Sequence, residues 1–232
     1  MLRRLVPILL ALLLVAALTA APASARWYGS NMRGAPNATY GCESAVILGP
    51  LGGAELAPTN QRSCTYKHGG YINSLRPTAI VPSTGTVRRI QVKSGASPAR
   101  LRLTILTGSS RVDTFTGADL PGTYTCCTAR YVGPAFQPKP NATTTRRVNV
   151  RVFNLRSKAI QNRIHSSDIV ALSAVGPGTL PLRIEPTIGG YASGTPLLTG
   201  FFPRTRPGEP RVDGYTLSGI DLMFRWDFQP AR

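Results

Sequence analysis

"SGIDLMFRWDF", residues 218–228, sets Ile220, Leu222, Phe224, Trp226 and Phe228 against Asp221, Met223, Arg225 and Asp227 in strict alternation. Successive side chains of an extended chain point to opposite faces, so a period of two held over this length predicts a β-strand with one apolar and one wet face. On that reading Asp221 and Asp227 belong to a solvated surface.

The same device recurs outward from this stretch. "TVRRIQVKS" (86–94) places Ile90 and Val92 opposite Arg89, Gln91 and Lys93, and "ARLRLTILT" (99–107) places Leu101, Leu103 and Ile105 opposite Arg100, Arg102 and Thr104. The short Gly/Ser/Pro turn between them predicts a hairpin. "RRVNVRVFN" (146–154) sets Val148, Val150 and Val152 against Arg147, Asn149, Arg151 and Phe153. "DIVALSAV" (168–175) is continuously apolar, as a strand buried on both faces would be, and "TLPLRIEP" adds Leu180, Leu182 and Ile184. The stretch 155–168, with Ile160 and Ile164, admits either a helical turn or a strand. No run of ten residues keeps helical spacing, and 23 glycines with 20 prolines oppose long helices. The expected fold is all-β: a single antiparallel β-sandwich of jelly-roll type over residues 77–232. Residues 26–76, poor in periodic runs and rich in turn formers, are expected as an irregular arm or a pair of short edge strands, stapled by cysteine.

Residues 1–25 carry Arg3 and Arg4, an apolar run from Leu5 to Ala20, and Ala23-Ser24-Ala25. That is the pattern of a secretory signal peptide; the run is broken by Pro7 and is shorter than the roughly 20 residues of a membrane span. The expectation is a secreted, extracellular protein with no further membrane span. In an oxidising compartment Cys42, Cys64, Cys126 and Cys127 read as structural disulfides. Cys42 with Cys64 would staple a Gly/Pro/Asn-rich loop and leave Cys126 with Cys127 in a strained ring of neighbours. The competing arrangement sends Cys126 and Cys127 separately to Cys42 and Cys64. His68 and His165 have no cysteines at zinc-ligand spacing, so no metal is expected, and no cofactor motif or hydrolase signature is present.

The chain has 27 basic and 10 acidic residues, net +17; loss of Arg3 and Arg4 with the leader leaves +15. Such a charge suits an anionic cell-wall polymer or polysaccharide; nucleic acid is not the expected partner, and oligomeric state is not legible. Arginine makes up 23 of the basic residues, so a purely compositional origin of the charge stands beside the functional one. Two places are candidate ligand sites. Arg89, Lys93, Arg100, Arg102, Arg147 and Arg151 all occupy polar positions of alternating strands, and if those strands adjoin, their guanidinium forks match carboxylates, sulfates and phosphates. The long segment 186–214 brings Tyr191, Phe201 and Phe202 close to Arg204 and Arg206; such loops are functional more often than the elements they join, although Phe201 and Phe202 would equally close an open end of the fold. The expected function is non-catalytic binding of an anionic wall or extracellular polysaccharide. The alternative is a structural or assembly protein of the envelope acting through protein–protein contacts, and the third reading is an extracellular hydrolase.

The order "IVPSTGTVRRIQVKSGASPARLRLTIL", "CCTARYVGPAFQPKPNATTTRRVNVRV" and "SSDIVALSAVGPGTLPLRI", closed by an alternating strand, resembles a group of uncharacterised exported β-sandwich proteins of high-GC Gram-positive soil bacteria. Their F-x-P-x-P-N segment is matched by Phe136, Pro138, Pro140 and Asn141. The resemblance spans roughly residues 77–228, and the preceding arm departs from it. It implies export and the sandwich, and it carries no activity.

Overall fold

The computed structural model describes residues 26–48, 54–71, 81–109, 125–155, 166–184, 196–209 and 216–231. The leader 1–25, the ambiguous stretch 156–165 with His165, and Tyr191 lie outside them. Among the described residues there are fifteen strands and no helix: β1 Arg26–Gly29, β2 Ser44–Leu48, β3 Ala54–Pro58, β4 Ser63–Tyr71, β5 Gly85–Lys93, β6 Arg100–Ser109, β7 Thr125–Val132, β8 Thr143–Val152, β9 Asn154–Leu155, β10 Ser166–Val175, β11 Leu182–Ile184, β12 Pro196–Phe201, β13 Thr216–Ser218, β14 Ile220–Leu222 and β15 Phe224–Pro230. The strand pairs are antiparallel. One sheet runs β1-β15-β5-β8 and a larger one runs β13-β12-β4-β10-β6-β7 with β9 on β10, while β11-β14 and β2-β3 form separate pairs.

The alternation read from the sequence decides what lies inside. Val87, Ile90, Val92, Val150, Val152, Phe224, Trp226 and Phe228 of the four-stranded sheet join Tyr66, Leu101, Leu103, Ile105, Val170, Leu172 and Leu198 of the larger one in a single buried cluster. Tyr28 stacks on Trp226 at 4.8 Å and meets Phe228 edge-on at 6.0 Å, contacts worth about 0.5–1.5 kcal/mol each beyond area burial. Strand β10 is covered on both faces, as its unbroken apolar run requires. Its second face meets Leu106, Cys127, Ala129 and Phe201 and a line of buried hydroxyls from Thr65, Thr104, Ser173 and Thr205.

Four expectations need correction. Residues 26–76 are not simply an irregular arm: β1 pairs with β15, and β4 lies between β12 and β10 in the middle of the larger sheet. Its inward positions are Cys64, Tyr66 and His68, which give no aliphatic alternation to read. β5 and β6 do not form a hairpin, for β5 pairs with β15 and β8 while β6 pairs with β10 and β7. Alternation reports a buried face and says nothing of the partner; the chain crosses between sheets through 94–99, held where Ala99 N donates to Thr179 O at 3.0 Å. Gly178 permits the crossing, at φ +122° and with a Cβ that would stand 2.6 Å from Ala99 N. Asp221 and Asp227 are buried rather than solvated. The segment 186–214 is not structureless, because β12 falls within it.

The expected staple is present: Cys42 and Cys64 are bonded with Cα atoms 5.4 Å apart. Cys127 is also disulfide-bonded, and the side chain of Cys126 lies outside the described residues.

Candidate functional site

The outer face of the four-stranded sheet carries one continuous row across all four strands. Trp27 of β1 pairs with Asp227 of β15, Asp227 with Arg89 of β5, and Arg89 with Arg147 of β8. Their neighbours Tyr28, Trp226 and Ile90 are buried in the core, so the row faces away from it. Between Asp227 and Phe228 the β15–β5 register shifts, leaving Arg88 as an extra residue on β5, and on its other side two residues of β8, Val148 and Asn149, face it where the β5–β8 register shifts as well. A bulge of this kind bends its strand and re-aims a side chain; Arg88 and Arg89 are consequently both exposed, where strict alternation would have sent one inward. The result is a groove of about 560 Å³ lined by Arg88, Arg89, Arg147, Val148, Asn149, Asp227 and Gln229.

Asp227 is 2 % exposed. Its Oδ2 accepts from Arg89 Nε at 2.7 Å, whereas its buried Oδ1 has no hydrogen-bond partner. A buried acceptor left unbonded costs about 1–3 kcal/mol, more when charged, and a donor entering the groove would recover it. Arg89 also lies 5.5 Å from the ring centre of Trp27, and Arg225, bonded through Nε to Gln91 Oε1 at 2.7 Å, lies 4.7 Å from the same ring. With 45 % of its side chain exposed, Arg89 gains little stability from its ion pair. The carboxylate and indole instead fix the direction of its guanidinium. Arg88 Nη1 is held by Gln229 Oε1. Three guanidiniums against one carboxylate leave surplus positive charge in a concave place, suited to an oxyanion flanked by a hydroxyl donor.

Other buried polar groups hold the fold. Asp221 meets His68 Nε2 at 2.9 Å and Ser30 Oγ at 2.7 Å. A nucleophilic triad needs the imidazole between hydroxyl and carboxylate; here the carboxylate is in the middle and all three residues are buried. Asp168 accepts Arg130 Nε at 3.0 Å, Thr107 Oγ1 at 3.1 Å and Phe153 N at 2.7 Å, which ties β6, β7 and the end of β8 to β10. Among the described residues no cluster of histidine, cysteine, aspartate or glutamate could hold a metal ion, and no helix is long and apolar enough to cross a membrane.

Of the residues singled out from sequence, Arg89 and Arg147 meet in the groove. Lys93 Nζ is taken up by the Gly34 carbonyl, and the Arg151 guanidinium lies 5.2 Å from the Phe153 ring centre. Arg100 and Arg102 stand on β6, in the other sheet. Phe201 is buried, 6.0 Å from Lys67 Nζ, and the half-buried Phe202 packs edge-on against Tyr66 at 5.7 Å. Arg204 and Arg206 gather near Arg102 instead. Sequence reading missed Trp27 and Arg225, placed Asp227 on a solvated face, and noted Arg88 only as half of the Arg88-Arg89 pair. The doubled arginine at 88–89 was the available sign of the bulge, since two adjacent charges break the alternation. No protein family, no curated protein and no solved structure matches this chain.

Proposed function

We propose that this protein is a secreted, non-catalytic β-sandwich that binds an anionic polysaccharide along the outer face of its four-stranded sheet. The observation that carries the reading is the pairing, inside one groove, of surplus guanidinium with the unpartnered Oδ1 of Asp227. Arg89 and Arg147 would take a carboxylate or sulfate, and Asp227 would accept from a neighbouring sugar hydroxyl; a polymer of acidic sugars presents both groups at a fixed spacing. Glycosidic cleavage uses two carboxyl groups flanking the bond, about 5–9.5 Å apart, and the described lining of the groove supplies one, which favours binding over hydrolysis. The disulfide at Cys42 and Cys64 supports an oxidising compartment.

The test is equilibrium binding of the purified protein to polygalacturonate, to a neutral glucan of equal length, and to each after Arg89→Gln/Arg147→Gln. Retention of the acidic polymer alone, with at least a tenfold loss in the double variant, is the expected result. Equal affinity for the neutral glucan, or no change in the double variant, overturns it.

A further inference from the structure

A second basic site sits on the larger sheet. Arg102 of β6 is in register with Ser173 of β10, and Ser173 with Thr65 of β4. Arg102 alternates with Leu101 and Leu103, which are buried in the shared core, so it faces away from that core. The chain 204–206 is pinned over the same face: Thr205 N donates to Thr65 Oγ1 at 3.0 Å, Arg204 N to Ser63 O at 3.1 Å, and Ala129 N to Arg206 O at 3.4 Å. Thr65 Oγ1 in turn lies 2.7 Å from Ser173 Oγ and 3.2 Å from Thr205 Oγ1. These backbone and hydroxyl ties collect Arg102, Arg204 and Arg206 from two distant parts of the sequence.

Left to themselves, the three cations are a poor arrangement. Burial lowers the Arg204 proton affinity first, and the charges of Arg102 and Arg206 lower it further, while Glu209 acts in the opposite sense. Glu209 Oε1 stands 3.7 Å from Arg206 Nη1, with both side chains about half exposed. The Nε of Arg102 is buried with no hydrogen-bond partner. A guanidinium donor without an acceptor, among like charges, is what the oxygen of a carboxylate or sulfate would satisfy.

We propose that Arg102, Arg204 and Arg206 form a second oxyanion site, and that one chain therefore holds two segments of acidic polysaccharide on opposite sides of its core. The second half of this inference rests on the groove reading above. The groove arginines alternate with Ile90 and Val150, and Arg102 with Leu101 and Leu103, and all four apolar residues belong to one buried cluster; a short oligosaccharide cannot reach both sites, whereas a long polymer is bridged by them.

Titration calorimetry with trigalacturonate, and with a sulfated neutral trisaccharide, tests the site; light scattering with long polygalacturonate tests the bridging. The intact chain should take about two acidic trisaccharides, and Arg204→Gln/Arg206→Gln, like Arg102→Gln, about one. The sulfated probe tells whether sulfate or carboxylate is preferred. Long polymer should scatter strongly with the intact chain and weakly with either variant. Arg204→Gln relieves repulsion, so its thermal midpoint without ligand should equal or exceed that of the parent, which separates a ligand site from a structural prop. A stoichiometry unchanged by the cluster substitutions, or scattering that persists, overturns the second site and leaves the groove standing. Loss of one equivalent in the cluster variants with none in Arg89→Gln/Arg147→Gln supports the second site and overturns the groove. Failure of both probes to bind the intact chain overturns both.

Discussion

Asp227 and Tyr40 each keep a buried oxygen without a hydrogen bond, with opposite consequences. In the groove, Asp227→Asn keeps the shape, gives up the ion pair to a half-exposed Arg89, and replaces the acceptor's charge. Folding stability should change by less than about 1 kcal/mol, as expected for a pair that is partly in water, while affinity for an acidic oligosaccharide falls by about threefold, since a charge-assisted hydrogen bond becomes a neutral one. Chemical denaturation and calorimetry on the same preparation measure the two effects separately. Tyr40 lies away from the groove, and its hydroxyl has nothing to lose: Tyr40→Phe should be neutral or stabilising by up to about 1 kcal/mol. Burial pushes the Tyr40 hydroxyl up to about 12 from 10.0, and burial, then the charges of Tyr40 and Glu43, push Tyr66 up as well. Above pH 10 the unfolded chain releases a proton that the folded chain keeps, so stability is intact below pH 10 and declines as pH rises toward 12. For Tyr40 alone the decline is on the order of 2–3 kcal/mol. Denaturation midpoints at pH 9, 10 and 11 should fall stepwise in the parent and less steeply in Tyr40→Phe; parallel curves would show that this hydroxyl ionises no later than in the unfolded chain.

Strand β4 is the element on which sequence and structure differ most. It occupies the middle of the larger sheet while presenting Cys64, Tyr66 and His68 to the interior: the sulfur partner Cys42 was legible in the sequence, whereas the edge-on ring of Phe202 against Tyr66 and the carboxylate of Asp221 against His68 were not. Strands β15, β10 and β8 were legible because aliphatic and aromatic side chains declare their face directly. The pairing of strands was not, for β5 and β6 carry the same pattern and lie in different sheets. The disulfide thus does more than close a loop; it ties the irregular stretch after β1 to a central strand. The staple closes a loop of 22 residues, and its loss should cost about 3 kcal/mol. Cys42→Ala/Cys64→Ala should lower the unfolding free energy measured in urea by that amount with affinity at the groove unchanged, because the groove lies on the outer face of the other sheet. A loss of binding larger than the loss of folded protein would place β4 in communication with the groove.

At the scale of the whole molecule, a net charge of +17 invites two explanations that affinity alone does not separate: a diffuse field from scattered arginines, or a few cations built into sites. The sequence showed the arginines but not their grouping. The row from Trp27 to Arg147 depends on β1 and β8 lying at the edges of one sheet with a bulge between, and the cluster of Arg102, Arg204 and Arg206 depends on a chain crossing back over β4. Neither is a property of local pattern. Salt separates the explanations, since each cation that contacts a polyanion displaces a bound counterion and adds to the slope of log affinity against log salt concentration, by about one per contact at most. A diffuse field would make every exposed arginine equivalent, so Arg100→Gln/Arg151→Gln and Arg89→Gln/Arg147→Gln would shift the slope alike. Two built sites predict inequality: the Arg89/Arg147 pair should lower the slope by between about one and two, and the Arg100/Arg151 pair by a small fraction of that. Measured on polygalacturonate between low and physiological salt, equal slopes for the two double variants would assign the charge to composition, and the groove would then be only a gap between strands.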